Sequence, residues 1–106
     1  MMARDVVIIG STIRNGRIYF SSSDVKFFPP DSYADREGGG HKGVPVTFQV
    51  GGRTIDTDIR ISSGKRLSPR NSFAFFIRQI NAKEGDIFRV ARLSDRAYRV
   101  DYLIKG

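Results

Sequence analysis

The strongest constraint on the fold is a pair of short apolar runs that alternate with a period of two and flank a glycine turn. Residues 44–50 carry valine or phenylalanine at every second position, and residues 53–61 carry isoleucine at three of their odd positions. Gly51 and Gly52 lie between the two runs and tolerate the positive φ values of a tight turn. This alternation is typical of a half-buried antiparallel hairpin.

Other short segments extend the β pattern to both ends of the chain. Residues 5–9 form an apolar, β-branched run that predicts a buried strand. Asn15 and Gly16 are a hairpin turn signal, after which residues 17–20 start a second strand. Residues 87–93 and 97–104 predict a closing hairpin. The total of about six or seven short strands indicates a small, mostly antiparallel barrel.

Two short helices are also predicted. The serine-rich segment 21–24 offers N-cap chemistry for a single turn that ends at Pro29 and Pro30. A second helix is expected to begin with Ser68 as its cap and Pro69 at its first position. Its apolar stripe has i, i+3, i+4, i+7 spacing and is expected to join the core: Phe73, Phe76, Ile77 and Ile80. Phe88 and Tyr98 are expected in the same core.

Composition narrows the classes of function. The 106 residues amount to one domain, spanning 1–106, with a net charge of +7. Because the chain has no Cys and only His41, it offers no Cys-based zinc site and no nucleophile–base pair that we can assemble. We therefore expect a protein that is not an enzyme and needs no cofactor. Without an apolar run of roughly 20 residues or a signal segment, we expect a cytoplasmic location and no membrane partner.

The positive charge is concentrated in two segments. Residues 10–20 and 60–70 together carry six of the eighteen Lys and Arg residues and none of the eleven acidic residues. Such clustering favours a polyanion as partner. A solvated basic surface that only maintains solubility is the alternative interpretation.

The order of the elements resembles a known family. A helix ends in Phe28 and Pro29, the run 57–59 enters a basic loop, and the stretch 67–77 continues into 81–88 with its Gly-Asp turn. This arrangement is similar to the DNA-binding pseudobarrel family, which includes plant B3 domains and the effector (N-terminal) domains of EcoRII-type restriction endonucleases. The resemblance covers about residues 5 to 104. Phe73 stands where B3 domains often have Trp, and the Gly-rich segment 36–43 favours the bacterial restriction-type branch.

The resemblance implies a mostly β fold with two short helices, arranged as a seven-stranded open pseudobarrel. It also implies that double-stranded DNA lies in a concave cleft between two arms. The first arm is Ser11, Thr12, Arg14, Asn15 and Arg17; the second arm is Arg60, Ser62, Ser63, Lys65, Arg66 and Arg70. These residues coincide with the two acid-free segments. Arg suits guanine edges, Asn suits adenine, and short hydroxyls suit phosphates.

The implied role is sequence-specific recognition without catalysis, by the effector module of a bacterial restriction system or by a small regulator. Methylated DNA is a variant of this target, and a nuclease domain or subunit is a candidate partner for a monomer. We expect Arg66→Ala or Arg70→Ala to weaken duplex binding without changing thermal stability.

Three alternatives remain open at this level. A small basic barrel can bind RNA or single strands, with Tyr19, Tyr33 and Tyr102 as stacking candidates. A barrel can also serve as a protein-interaction adaptor. Asp56 and Asp58 are expected on the same face of one strand, where a carboxylate pair can hold a metal, although no third ligand is apparent.

Overall fold

The computed structural model describes residues 2–34, 42–61 and 66–104. Within these ranges lie eight strands, two α-helices and two 3-10 segments, which confirms the expected mostly β fold with short helices. The strands are β1 Ala3–Val7, β2 Phe20–Ser21, β3 Val46–Val50, β4 Arg53–Thr57, β5 Ile59–Ile61, β6 Arg66–Pro69, β7 Ile87–Ser94 and β8 Ala97–Leu103. The helices are α1 Gly10–Asn15 and α2 Ala74–Gln79, and the 3-10 segments are Ser22–Phe27 and Pro30–Ser32. In these ranges no helix has both the length and the apolar character to cross a bilayer.

The strands form two sheets. The larger has the order β1-β7-β8-β3-β4, and the smaller has the order β2-β6-β5. All neighbours are antiparallel except β3 and β8, which run parallel. The described strands form no closed barrel, so the seven-stranded open pseudobarrel stays a prediction.

The predicted strand 53–61 is interrupted and forms two strands, β4 and β5, in place of one. The chain leaves the larger sheet after Thr57 and enters the smaller sheet at Ile59, so Asp58 is the crossing point. Asp56 is exposed, whereas Asp58 is only 5% exposed. The expectation that the two carboxylates share one face is therefore wrong, because the period of two does not continue through the break.

The core lies between the sheets and α2 and is rich in aromatic rings. The helix and hairpin residues predicted for it are buried: Phe73, Phe76, Ile77, Phe88 and Tyr98. Ile80 is only partly buried against them. Phe28, which ends the first 3-10 segment as predicted, packs edge-on against Phe20 with ring centroids 5.1 Å apart. Edge-to-face contacts of this kind fix the rings in place as well as burying them.

The predicted hairpin turn at Asn15 and Gly16 is wrong. The chain forms α1 there instead, and Gly16 ends the helix with φ 66° and ψ 35°. The Gly16 N–H donates to the Thr12 carbonyl at 2.9 Å. A glycine with positive φ serves a helix C-terminus as well as a hairpin, so Asn-Gly alone does not distinguish the two.

The predicted start of the second helix is also wrong. Ser68 and Pro69 lie in β6, paired with β5, and α2 begins at Ala74. The N-cap residue is Phe73, which has no side-chain cap hydrogen bond, although the Oγ of the preceding Ser72 accepts the Ala74 N–H at 3.1 Å. Pairing in the smaller sheet takes residues 66–69 out of the helix, so Ser68 does not cap it.

Candidate nucleic-acid interface

The two acid-free segments lie against each other. Strands β2 and β6 pair them directly, with Phe20 opposite Leu67. The Phe73 N–H donates to the Gly16 carbonyl at 2.7 Å, which joins the end of α1 to the start of α2. Segments separated by about fifty residues in the chain therefore contact each other.

Within the first arm, two hydroxyl groups maintain α1. Thr12 is 1% exposed, and its Oγ1 accepts the Ile9 N–H at 3.2 Å. The Ser11 Oγ accepts a hydrogen bond from Arg14 Nη2 at 3.2 Å. Thr12 is thus placed to cap the helix rather than to reach a ligand. Arg14 and Asn15 are exposed at the end of the helix.

Arg17 bridges the two arms. Its Nη1 donates to the carbonyls of Arg70 at 2.6 Å and Pro69 at 3.3 Å. Hydrogen bonds from a charged guanidinium to carbonyls are stronger than neutral ones. Arg17 therefore stabilises the junction of the segments, and its charge remains uncompensated by a carboxylate within the described residues.

In the second arm, Arg60 and Arg66 are exposed on neighbouring strands of the smaller sheet. Arg60 has no ion pair among the described residues. The Arg66 guanidinium lies over the Tyr19 ring, with its Cζ 5.3 Å from the centroid. Arg66 is therefore oriented by a residue of the first acid-free segment. Ser62, Ser63 and Lys65 lie outside the described residues.

Arg70 differs from the other cations of the arms. Its Nε lies 2.9 Å from Oδ1 of the buried Asp58. The Gly43 N–H donates to Oδ2 of the same carboxylate, also at 2.9 Å. Arg70 is among the DNA contacts that the resemblance implies, but the structure places it in an ion pair at the crossing between sheets. A phosphate contact at Arg70 therefore has to compete with this carboxylate.

The shifted pKa values belong to groups outside the two arms. Burial raises the pKa of Tyr33 and of Tyr98 to about 12. The Tyr98 hydroxyl donates to the Phe27 carbonyl at 2.7 Å within the core. At the edge of the larger sheet, where β1 pairs with β7, the hydrogen bond from Arg89 lowers the pKa of Asp5. These shifts follow from burial and from ion pairing, which also perturb structural groups.

Carboxylates do not assemble into a metal site in ranges 2–34, 42–61 and 66–104, where no cluster of three or more His, Cys, Asp or Glu is found. Asp56 lies in β4 and accepts a hydrogen bond from the Thr47 hydroxyl at 2.7 Å, whereas the buried Asp58 lies at the crossing itself. His41 lies outside the described residues. The metal interpretation of the Asp56 and Asp58 pair thus loses the shared face on which it rested.

Sequence reasoning missed two contributors to this surface. Tyr19 was considered only for base stacking, yet it contacts both arms, since its hydroxyl accepts from Asn15 Nδ2 at 3.0 Å. Asp58 was considered only as a metal ligand, yet it holds Arg70. The position of Tyr19, two residues beyond Arg17, was the available signal. No local pattern indicated the burial of Asp58, which depends on the crossing between sheets.

Comparison with known proteins supports the architecture. Neither a family model nor a curated protein matches the chain. Among solved structures, the chain is similar to the N-terminal domain of Helicobacter pylori LlaJI.R1, with a TM-score of 0.70 and 15% sequence identity. The match covers 98% of this chain and 82% of that one. At this identity the likeness shows a shared fold, and membership in the B3-like or EcoRII-type family stays a prediction.

Proposed function

We propose that the protein binds double-stranded DNA sequence-specifically through the two arms. The observation that carries this proposal is the pairing of the two acid-free segments through β2 and β6, together with the exposure of Arg14, Arg60 and Arg66 within them. Arginine forks match phosphate oxygens and the O6 and N7 atoms of guanine. The protein contributes recognition in this proposal and no catalytic step, cofactor or metal.

The same proposal includes a setting. The fold is shared with a domain that is one part of a longer protein, the N-terminal domain of H. pylori LlaJI.R1. A recognition module that works beside a nuclease domain or subunit in a bacterial restriction system accords with that likeness and with the resemblance found in the sequence. A small cytoplasmic regulator that binds as a monomer is the other form of the proposal. Cytosine methylation is a candidate feature of the target.

Single-strand binding is less well supported by the arrangement of the rings. A stacking platform needs several exposed aromatic side chains on one face. The Tyr19 ring is covered by Arg66, and the Tyr33 hydroxyl donates to the Val25 carbonyl at 2.6 Å, in another part of the chain. The Tyr102 hydroxyl donates a hydrogen bond to the Asp86 carboxylate, and Tyr102 is only partly exposed. The three tyrosines therefore form no common face.

The test is a selection from a randomised duplex library at near-physiological salt, with and without cytosine methylation. The proposal predicts an enriched motif of about five to seven base pairs, bound more tightly than RNA or single strands of the same length. A flat library with salt-dependent binding reduces the activity to non-specific DNA binding. A preference for single strands, or binding that does not depend on salt, supports an RNA-binding or adaptor role instead.

A further inference from the structure

We infer that Tyr19 is a positioning residue that joins Asn15 of the first arm to Arg66 of the second, so that the two arms engage DNA as one coupled unit. This inference rests on the proposed function, because it concerns how the same surface binds a duplex. It assigns a role to a residue that belongs to neither set of predicted contact residues.

The contacts of Tyr19 are made by opposite parts of its side chain. Its hydroxyl accepts a hydrogen bond from Asn15 Nδ2 at 3.0 Å, and its ring lies beneath the Arg66 guanidinium at 5.3 Å. The neighbours of Tyr19 in the chain, Ile18 and Phe20, are 0% and 2% exposed. The core therefore fixes the backbone of Tyr19, and the ring extends from a rigid base toward both arms.

Each contact with Tyr19 restricts a flexible side chain while using little of that side chain's hydrogen-bonding capacity. A guanidinium that stacks through its face still presents N–H donors in its plane, which is the geometry that guanine and phosphate require. The Asn15 amide uses one of two N–H groups on Tyr19, and this bond sets the orientation of the amide plane. Ordering both side chains before binding lowers the entropy cost of association.

The contacts also couple residues that are far apart in sequence. Asn15 contacts the hydroxyl and Arg66 contacts the ring of the same tyrosine, so both segments share one side chain. Arg17, which donates to the Pro69 and Arg70 carbonyls, keeps the segments at a fixed spacing. Tyr19 therefore lies where coupling between the arms passes through one side chain.

The experiment measures affinity for the duplex enriched from the library, together with Tm, for wild type and for Tyr19→Leu, Tyr19→Phe, Arg66→Lys and Arg66→Ala. Tyr19→Leu removes both contacts and is expected to weaken binding about three- to fivefold, the scale of an exposed cation–π contact. Tyr19→Phe keeps the ring beneath Arg66 and loses only the hydroxyl bond to Asn15, so it is expected to lose much less affinity than Tyr19→Leu. Arg66→Lys keeps the charge but not the planar stack and is expected to match Tyr19→Leu.

A second arm of the experiment tests coupling. In the Arg66→Ala background, Tyr19→Leu is expected to cause little further loss, because the stacked partner is already absent. The matched control is Phe75→Leu, which removes a similar stack, since Arg53 Cζ lies 4.4 Å from the Phe75 centroid and neither residue belongs to an arm. That control is expected to leave duplex affinity unchanged.

The outcomes separate the inference from the proposed function. If Arg66→Ala weakens binding but Tyr19→Leu binds like wild type, or adds its full loss to that of Arg66→Ala, the positioning role is wrong and the DNA-binding role stands. A loss in Tyr19→Leu that follows a lowered Tm, with no loss in Arg66→Lys, also overturns it. If wild type binds no duplex, the proposed function and this inference fail together.

Discussion

The closing hairpin and the two arms surround their arginines with different partners. On β7, β8 and the turn between them, every arginine lies within 4 Å of an aspartate: Arg89 with Asp5, Arg92 with Asp95, Arg96 with Asp31, and Arg99 with Asp101. On the arms, Arg17 contacts main-chain carbonyls, Arg66 contacts a ring, and Arg14 and Arg60 have no ion pair among the described residues.

This difference shows that the hairpin and the arms treat positive charge differently, since only the hairpin pairs every arginine with an aspartate. The hairpin arginines are compensated locally, so they contribute little to the field that an approaching polyanion meets. Arg14 and Arg60 have no ion pair among the described residues, so their charge is available to exchange counterions with a phosphate backbone. Arg70 is the exception on the arms, since Asp58 neutralises it.

The largest expected effect comes from removing charge on one region and not the other. The double variant Arg60→Ala/Arg66→Ala is expected to weaken duplex binding about 100-fold, from roughly tenfold per arginine. The matched variant Arg89→Ala/Arg99→Ala removes the same formal charge from the hairpin and is expected to change affinity less than about twofold. Fluorescence anisotropy with a labelled duplex measures both. Equal losses in the two variants would mean that binding responds to net charge alone.

The next largest effect is expected on stability and comes from Arg70, the arm arginine that pairs with an aspartate. Arg70→Ala leaves the buried Asp58 carboxylate without its cation and is expected to lower the free energy of unfolding by about 2 kcal/mol. This is less than for a fully buried pair, because the Arg70 side chain is 41% exposed. Urea denaturation measures the change, with exposed Arg78→Ala as the control. The sequence alone led us to expect unchanged stability for Arg70→Ala, and the ion pair with Asp58 changes that expectation. Equal free energies of unfolding for Arg70→Ala and wild type would show that the pair does not stabilise the fold.

Much of this comparison was accessible from the sequence. The acid-free segments are visible without a structure, because absence of acidic residues over eleven positions leaves no local partner for the cations. The strand alternation around Gly51 and the apolar stripe of α2 also follow from local periodicity. Local patterns of this kind predicted the closing hairpin and the buried rings correctly.

The remaining features depend on contacts between distant segments. The Arg70 pair with Asp58 exists because the chain changes sheets at Asp58, and no period within residues 53–61 indicates that change. Gly16 ends a helix rather than turning a hairpin because Thr12 accepts its N–H in a helical turn, and Asn-Gly is compatible with both. Tyr19 gains its contact with Arg66 only when β2 pairs with β6.

A smaller effect is expected in the salt dependence of binding. Arg14→Ala and Arg66→Ala are each expected to reduce the slope of log affinity against log salt by about 0.9, the value for one neutralised phosphate on duplex DNA. Arg99→Ala is expected to leave the slope unchanged, since Asp101 lies 3.1 Å from its Nε. Titrations at several salt concentrations give the slopes. A reduced slope for Arg99→Ala would show that the hairpin also meets the phosphate backbone.

The smallest effect concerns the hairpin pairs themselves and appears only in acid. Because Arg89 lowers the pKa of Asp5 below its ordinary value of 3.8, Asp5 stabilises the folded state above that pH. This contribution is lost as the pH falls through the lowered folded value, since the unfolded state then binds the proton more readily. Asp5→Asn is expected to have a Tm that declines slightly less than that of wild type below pH 3.8. Parallel Tm profiles of the two proteins in acid, measured by thermal denaturation, would show that the exposed pair compensates charge without contributing to stability.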